Sequence, residues 1–289
     1  MIRIRNIAFA ILLVPFVAMA DGANGQDIAG LKPAVLQVAA FVPGEGNYRY
    51  QKLENAIEQH EAQKPKNWEF LVELVKNQPD DYSKVAMANL LINQIPYVDG
   101  TDGTYFPPIK GFQRGGVVCK DYAVAKYLLL KEAGYPIDKM ALLIHQSVLD
   151  PENGAHVVLI VDIDGELWIA NQFWKGTAAK FYADNHINPA KFSKDIKKNG
   201  IDALITDFDL SNNPYNKKSL TKVKDYAYTD RIVLNIVNEY GVLSDKKLEI
   251  LERTKVEQQR QADVKKWKFQ CKLGQGLPYR SQHKKVKHA

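Results

Sequence analysis

Residues 115–136, GGVVCKDYAVAKYLLLKEAGYP, constrain this chain more than any other stretch, because a glycine pair runs straight into a helical pattern with a cysteine at the junction. Ala123, Tyr127 and Leu130, joined by Val124 and Leu128, recur at helical spacing, which predicts Lys120, Asp121, Lys126 and Lys131 on the other faces. Gly134 and Pro136 stop the helix. Cys119 therefore falls in a first helical turn, beside unpaired backbone N–H groups and the positive end of the helix dipole. Both favour thiolate over thiol, so the expectation is a nucleophilic sulfur.

The flanking segments suggest what this helix packs against. Residues 50–76 read as helical with a break at Lys64-Pro65-Lys66, and Pro79-Asp80-Asp81 starts another helix bearing Val85, Leu90, Leu91 and Ile95. A loop rich in glycine and proline, including 108–115, then leads to Cys119. Beyond the cysteine helix, 140–148 and 156–163 read as strands, and Asp164-Gly165 as a tight hairpin turn into a third strand, 166–173. Helices, a cysteine helix and then antiparallel strands make an α+β arrangement. Turn signals at Asn188-Pro189, Asn199-Gly200 and Asn212-Asn213-Pro214 follow, then a helix over 233–240 and another from Ser244.

Arg3 and Arg5 precede an apolar run from Ile7 to Ala20 that ends in Ala18-Met19-Ala20, the pattern of a secretory leader; an uncleaved anchor is the alternative. The expected organisation is a leader over 1–20, an arm over 21–47, one main domain over 48–252 and a basic helix and tail over 253–289. Of the formal net charge of +6, the segment from Arg253 onward holds eleven Lys and Arg against Glu257 and Asp263. Such a tail is expected to be solvated or to touch an anionic surface, and it lacks the interleaved aromatics of a nucleic-acid binder. With only Cys119 and Cys271 in an exported chain, two readings stand: a disulfide, or a free reactive Cys119.

A cysteine nucleophile needs a base within hydrogen-bond reach and a group to fix that base. Of the six histidines, His60 on a polar helix, His186 in a loop, and His283 and His288 in the tail have solvated roles by default. His145 and His156 lie on the strands after the cysteine helix. His156 stands out by its company: Ile95-Pro96-Tyr97-Val98-Asp99, then CKDYAVAKYLLLKEAGYP, then Ala155-His156-Val157-Val158-Leu159, then a hairpin and a strand ending Ala170-Asn171. Together these resemble the bacterial transglutaminase-like cysteine proteinases, which include the LapG-like periplasmic cysteine peptidases that clip biofilm adhesins.

The resemblance runs over roughly residues 81–174. It implies a papain/transglutaminase-like α+β fold, with the nucleophile on a helix N-terminus packed against an antiparallel sheet. It implies Cys119 as nucleophile and His156 as base, acting on an amide bond in a protein or peptide of the envelope; a regulatory protein partner fits the same picture. Three departures stand out. Where the family has an Asp-Asn pair, this chain has Ala170-Asn171, so either Asn171 orients His156, which would require a register shift or bulge, or the third member is missing and the fold serves as a binding module. Val118 and Lys120 replace the acidic neighbours that hold calcium in the LapG-like branch, so no metal and no cofactor is expected. Val117 replaces a glycine. Asp121 is expected to serve the helix start, Gln113 or the Cys119 N–H to serve an oxyanion hole, and Tyr122 to be core. Acyl transfer to an amine would use the same groups as hydrolysis.

Overall fold

A computed structural model describes residues 41–98, 103–146, 155–226 and 233–243. The expected leader, most of the arm, the basic tail with Cys271, the helix from Ser244 and residues 147–154 lie outside the described residues.

In chain order the elements are β1 (Phe41–Val42), α1 (Tyr48–Ala62), α2 (Trp68–Lys76), α3 (Asp81–Asn93), α4 (Pro108–Arg114), α5 (Cys119–Glu132), β2 (Met140–Gln146), β3 (Ala155–Ile163), β4 (Glu166–Ala170), α6 (Lys175–Asp184), α7 (Pro189–Asn199), α8 (Asn216–Ser219), β5 (Leu220–Lys222), β6 (Val233–Asn238) and β7 (Gly241–Leu243). Among the described residues the strands form one sheet in the order β1-β7-β6-β2-β3-β4-β5, every pair antiparallel. Local chemistry sets the boundaries. Asp80 caps α3 by accepting from the Ser83 N–H at 2.7 Å, and Asn188 caps α7 from the Ala190 and Lys191 N–H groups, with Pro189 at the first helical position. Asp164 and Gly165 both have positive φ, 52° and 78°, the twist that a two-residue hairpin needs.

The two faces of the sheet bury different partners. Leu142, Ile144, Val157, Leu159, Val161 and Ala170 belong to the larger core, with Leu53, Trp68 and Leu71 and the α5 residues Tyr127 to Leu130; Leu143, Val158, Ile160 and Ile169 face the other way, with Tyr226 and Ile236. Helix α5 is buried on every side rather than along one stripe. Lys120, Asp121 and Lys126 are buried, against the expectation that they lie on outer faces, because α2, α3, β2 and β3 all pack around it. Each fully buried leucine here contributes about 2 kcal/mol of burial.

Three further expectations change. Residues 233–240 are not helical: β6 pairs with β2, and a short run of apolar and β-branched residues satisfies both periodicities until a neighbouring strand offers hydrogen bonds. The glycine-rich 108–115 loop is mostly helix α4. The third strand ends at Ala170 rather than at Phe173.

Candidate active site

Cys119 is the first residue of α5, and a tight connection from α4 delivers it there. Gly115 has φ 67° and Gly116 passes against the 96–98 segment; a Cβ at the first would come 2.3 Å from Ser193 O, and at the second 2.2 Å from Val98 Cγ1. Val117 then exchanges backbone bonds with Pro96 O and the Val98 N–H, at 3.0 and 3.1 Å. Asp121 closes the start of the helix: its carboxylate accepts from the Val118 N–H at 3.4 Å and the Phe106 N–H at 3.1 Å, and Lys120 Nζ lies 3.4 Å away. That is the reciprocal half of a capping box, since the Val118 side chain has nothing to accept with. Tyr122 is core, its hydroxyl donating to Ile95 O.

Among the described residues Cys119 pairs with no other cysteine, and its side chain is partly exposed. Its sulfur lies against the backbone N–H groups of Val157, the residue after His156, and of Lys120. Burial pushes the thiol above its ordinary value, outweighing those N–H groups and the Lys120 ammonium. Desolvation thus works against the thiolate-favouring helix start expected from the sequence.

His156 bonds through Nε2 to Asn171 Oδ1 at 3.1 Å. The Gln172 N–H donates to the same Oδ1 at 2.9 Å, a contact that only an oxygen accepts, so the amide orientation is fixed and Nε2 carries the proton. No shift or bulge in the β3–β4 pairing is required. Leu159 pairs with Ala170, both facing the helices; the next residue, Asn171, turns to the opposite face, which is also the face of Val158 and His156. Burial lowers His156 to about 4, against the hydrogen bond that the ring donates to Asn171, with His145 and Lys126 adding to the fall.

Around this pair the structure assembles His145, which the sequence placed on the neighbouring strand, and residues to which the sequence assigned no role at the site. Trp174 stacks beside the His156 ring, centroids 6.2 Å apart and planes within 21°. His145 pairs across from His156, ring to ring at 5.3 Å, with a β-bulge against β6 beside it. Tyr226 accepts from Asn171 Nδ2 at 3.3 Å and reaches His145 Nε2 at 3.5 Å. Lys126 and Asn93 both donate to Asn171 O, at 3.0 and 2.9 Å. His145 beside His156 in the strand pattern and a lysine inside the apolar run AVAKYLLL are the signals visible in the sequence; Trp174, Tyr226 and Asn93 carry none. Gln113 is exposed on α4 and His186 is exposed after α6. His60, expected to be solvated, is fully buried and 2.8 Å from Glu132 Oε1. Among the described residues no cluster of His, Cys, Asp or Glu is arranged to hold a metal ion.

A family described as a transglutaminase-like domain matches residues 31–198, more than half of the chain. The chain belongs to the transglutaminase-like family. Solved structures similar to it include calcium-bound LapG of Legionella pneumophila, 17% identical, covering 70% of this chain and 97% of that one at a TM-score of 0.39. LapG from the same organism is 16% identical over 75% and 99% of the two chains, also at 0.39, and the EGTA-treated form is 21% identical over 46% and 72% at 0.32. No curated protein sequence matches the chain. Within this transglutaminase-like chain, mixed helices and an antiparallel sheet bring a cysteine at a helix start to the strand that carries a histidine.

Proposed function

We propose that this transglutaminase-like protein is an exported thiol hydrolase, a cysteine peptidase acting on proteins of the cell envelope or surface through Cys119, His156 and Asn171. The observation that carries the reading is the His156–Asn171 bond, its direction set by the Gln172 N–H, on the strand whose next N–H meets the Cys119 sulfur. With the proton held at Nε2, Nδ1 is the basic nitrogen. The alternative, a non-catalytic binding module, would gain if residue 170 faced the histidine with nothing polar in its place; that Ala170 belongs to the helix-side core supports the catalytic reading.

Burial disfavours charge on both members, pushing the thiol up and the imidazole down to about 4, which supports a thiol beside a neutral base as the starting state rather than an ion pair. As the sulfur attacks the substrate carbonyl carbon, an S–C bond forms and the thiol proton passes to His156 Nδ1. The Cys119 N–H at the helix start is placed to meet the oxyanion. The C–N bond then breaks, the imidazolium gives its proton to the leaving amine, and a thioester remains. Water, deprotonated by His156, adds to the thioester carbonyl; the S–C bond breaks and the proton returns to the sulfur. Export rests on the apolar leader pattern, and the envelope substrate on that address together with the resemblance.

The test is labelling by iodoacetamide. The unsubstituted protein should alkylate at Cys119, Cys119→Ala should lose that label with an unchanged circular dichroism spectrum, and His156→Gln should slow it strongly. A Cys119 that alkylates at the same rate without His156 would sink the reading.

A further inference from the structure

Lys126 is fully buried, yet its ammonium lies beside no carboxylate among the described residues; it donates only to Asn171 O at 3.0 Å and Ala170 O at 3.3 Å, with the Tyr122 ring 5.6 Å away. Burial drives it well below the ordinary lysine range. A buried lysine without a counter-charge is costly, and a methionine of similar length would fill the same space without that cost. Its two acceptors sit where β4 has just stopped pairing with β3, so the backbone of Asn171 depends on other elements. The Asn171 N–H donates to Ser219 O at 2.9 Å, and its carbonyl takes Asn93 from α3 and Lys126 from α5.

Lys126 stands seven residues after Cys119 on the same helix, which puts the two on one face about 10 Å apart along the axis. We propose that Lys126 is a positioning residue that ties Asn171 to the helix carrying the nucleophile. A loop of contacts then closes: Cys119 to Lys126 through a rigid helix, Lys126 to Asn171 through two carbonyls, Asn171 to His156 through Oδ1, and His156 back to the strand end that meets the sulfur. The spacing between nucleophile and base is thereby held by one helix rather than by strand pairing, which stops at Ala170. This rests on the reading of Cys119, His156 and Asn171 given above.

The experiment is a double-mutant cycle on the full chain, read as the rate of Cys119 alkylation by iodoacetamide at pH 7 together with the thermal midpoint. Lys126→Met is expected to fold with an unchanged or higher midpoint and to alkylate about tenfold more slowly. In an Asn171→Ala background the same substitution should change nothing further, because the route through Asn171 is already cut. A merely structural lysine would lower the midpoint and slow the reaction equally in both backgrounds. A rate within about twofold of the unsubstituted protein, or an equal loss in both backgrounds, overturns the proposal. If Lys126→Met does not fold, the cycle is run with Lys126→Leu, which also removes the donor; a loss seen with Asn at 171 and absent with Ala at 171 upholds the role, and an unchanged rate overturns it. Failure of the catalytic reading is separable: there His156→Gln leaves the rate unchanged, whereas here His156→Gln slows it and Lys126→Met does not.

Discussion

Two buried histidines occupy opposite circumstances in this molecule. His60, on α1, has no exposed surface and bonds to the Glu132 carboxylate, which Lys64 also holds at 2.7 Å; the ring meets Trp68 edge-on at 5.0 Å. His156, on β3, has a neutral amide in place of the carboxylate and lies one residue from a cysteine sulfur. Burial works against charge at both places. At the first, the hydrogen bonds of His60 and Lys64 outweigh desolvation and hold Glu132 below the usual carboxylate range, an arrangement that fastens α1 to the end of α5. At the second, desolvation dominates and the ring stays neutral, ready to take a proton. The same side chain braces one site and is poised as a base at the other, and the partner decides which.

Exchanging the roles tests that contrast. The largest separation should come from removing each ring: His156→Gln is expected to slow Cys119 alkylation by about 10²-fold or more, whereas His60→Gln should leave the rate intact and lower the thermal midpoint. Equal effects on rate would erase the distinction. Next comes pH. His156 has a folded-state value of about 4 against 6.5 for an ordinary histidine, so between those values the unfolded chain binds a proton that the folded chain does not. Stability is therefore full above pH 6.5, falls as the pH drops towards 4, and loses up to about 3 kcal/mol in all. Denaturant titrations at pH 7 and pH 4 measure this, and His156→Gln should flatten that part of the dependence.

Smaller effects come from swapping the partners. Glu132→Gln gives His60 an amide like the one His156 already has; because Glu132 is partly exposed, the cost should be about 1 kcal/mol in urea unfolding, with no change in alkylation. The reverse swap, Asn171→Asp, gives His156 a carboxylate and should raise its pKa by about one unit, read by proton and nitrogen NMR of the ring. A ring that titrates where it did before would mean that burial alone sets its value.

Much of the scaffold could be read before any coordinates. The helix start at Asp80, the break between α1 and α2, and the Asp164-Gly165 hairpin are short-range chemistry: a side chain and a backbone N–H three residues apart, or a residue pair tolerant of positive φ; Asn188-Pro189, which reads as a turn, caps α7 instead. Residues 233–238 were misread as helix because a short apolar run fits either period, and β2 supplied the deciding hydrogen bonds from about ninety residues away in the chain.

The sequence by itself determined that Cys119 opens a helix and that His156 stands on the strand that meets it, since a motif and its local periodicity encode both. Only the tertiary structure decided that Asn171 rather than residue 170 faces the ring, because pairing register sets which side of a sheet a residue takes. It also decided that burial opposes ionisation of the Cys119 thiol, that Lys126 is buried and that His60 is not solvated. Desolvation is a property of what surrounds a group in space, and α5 is enclosed by elements far from it along the chain.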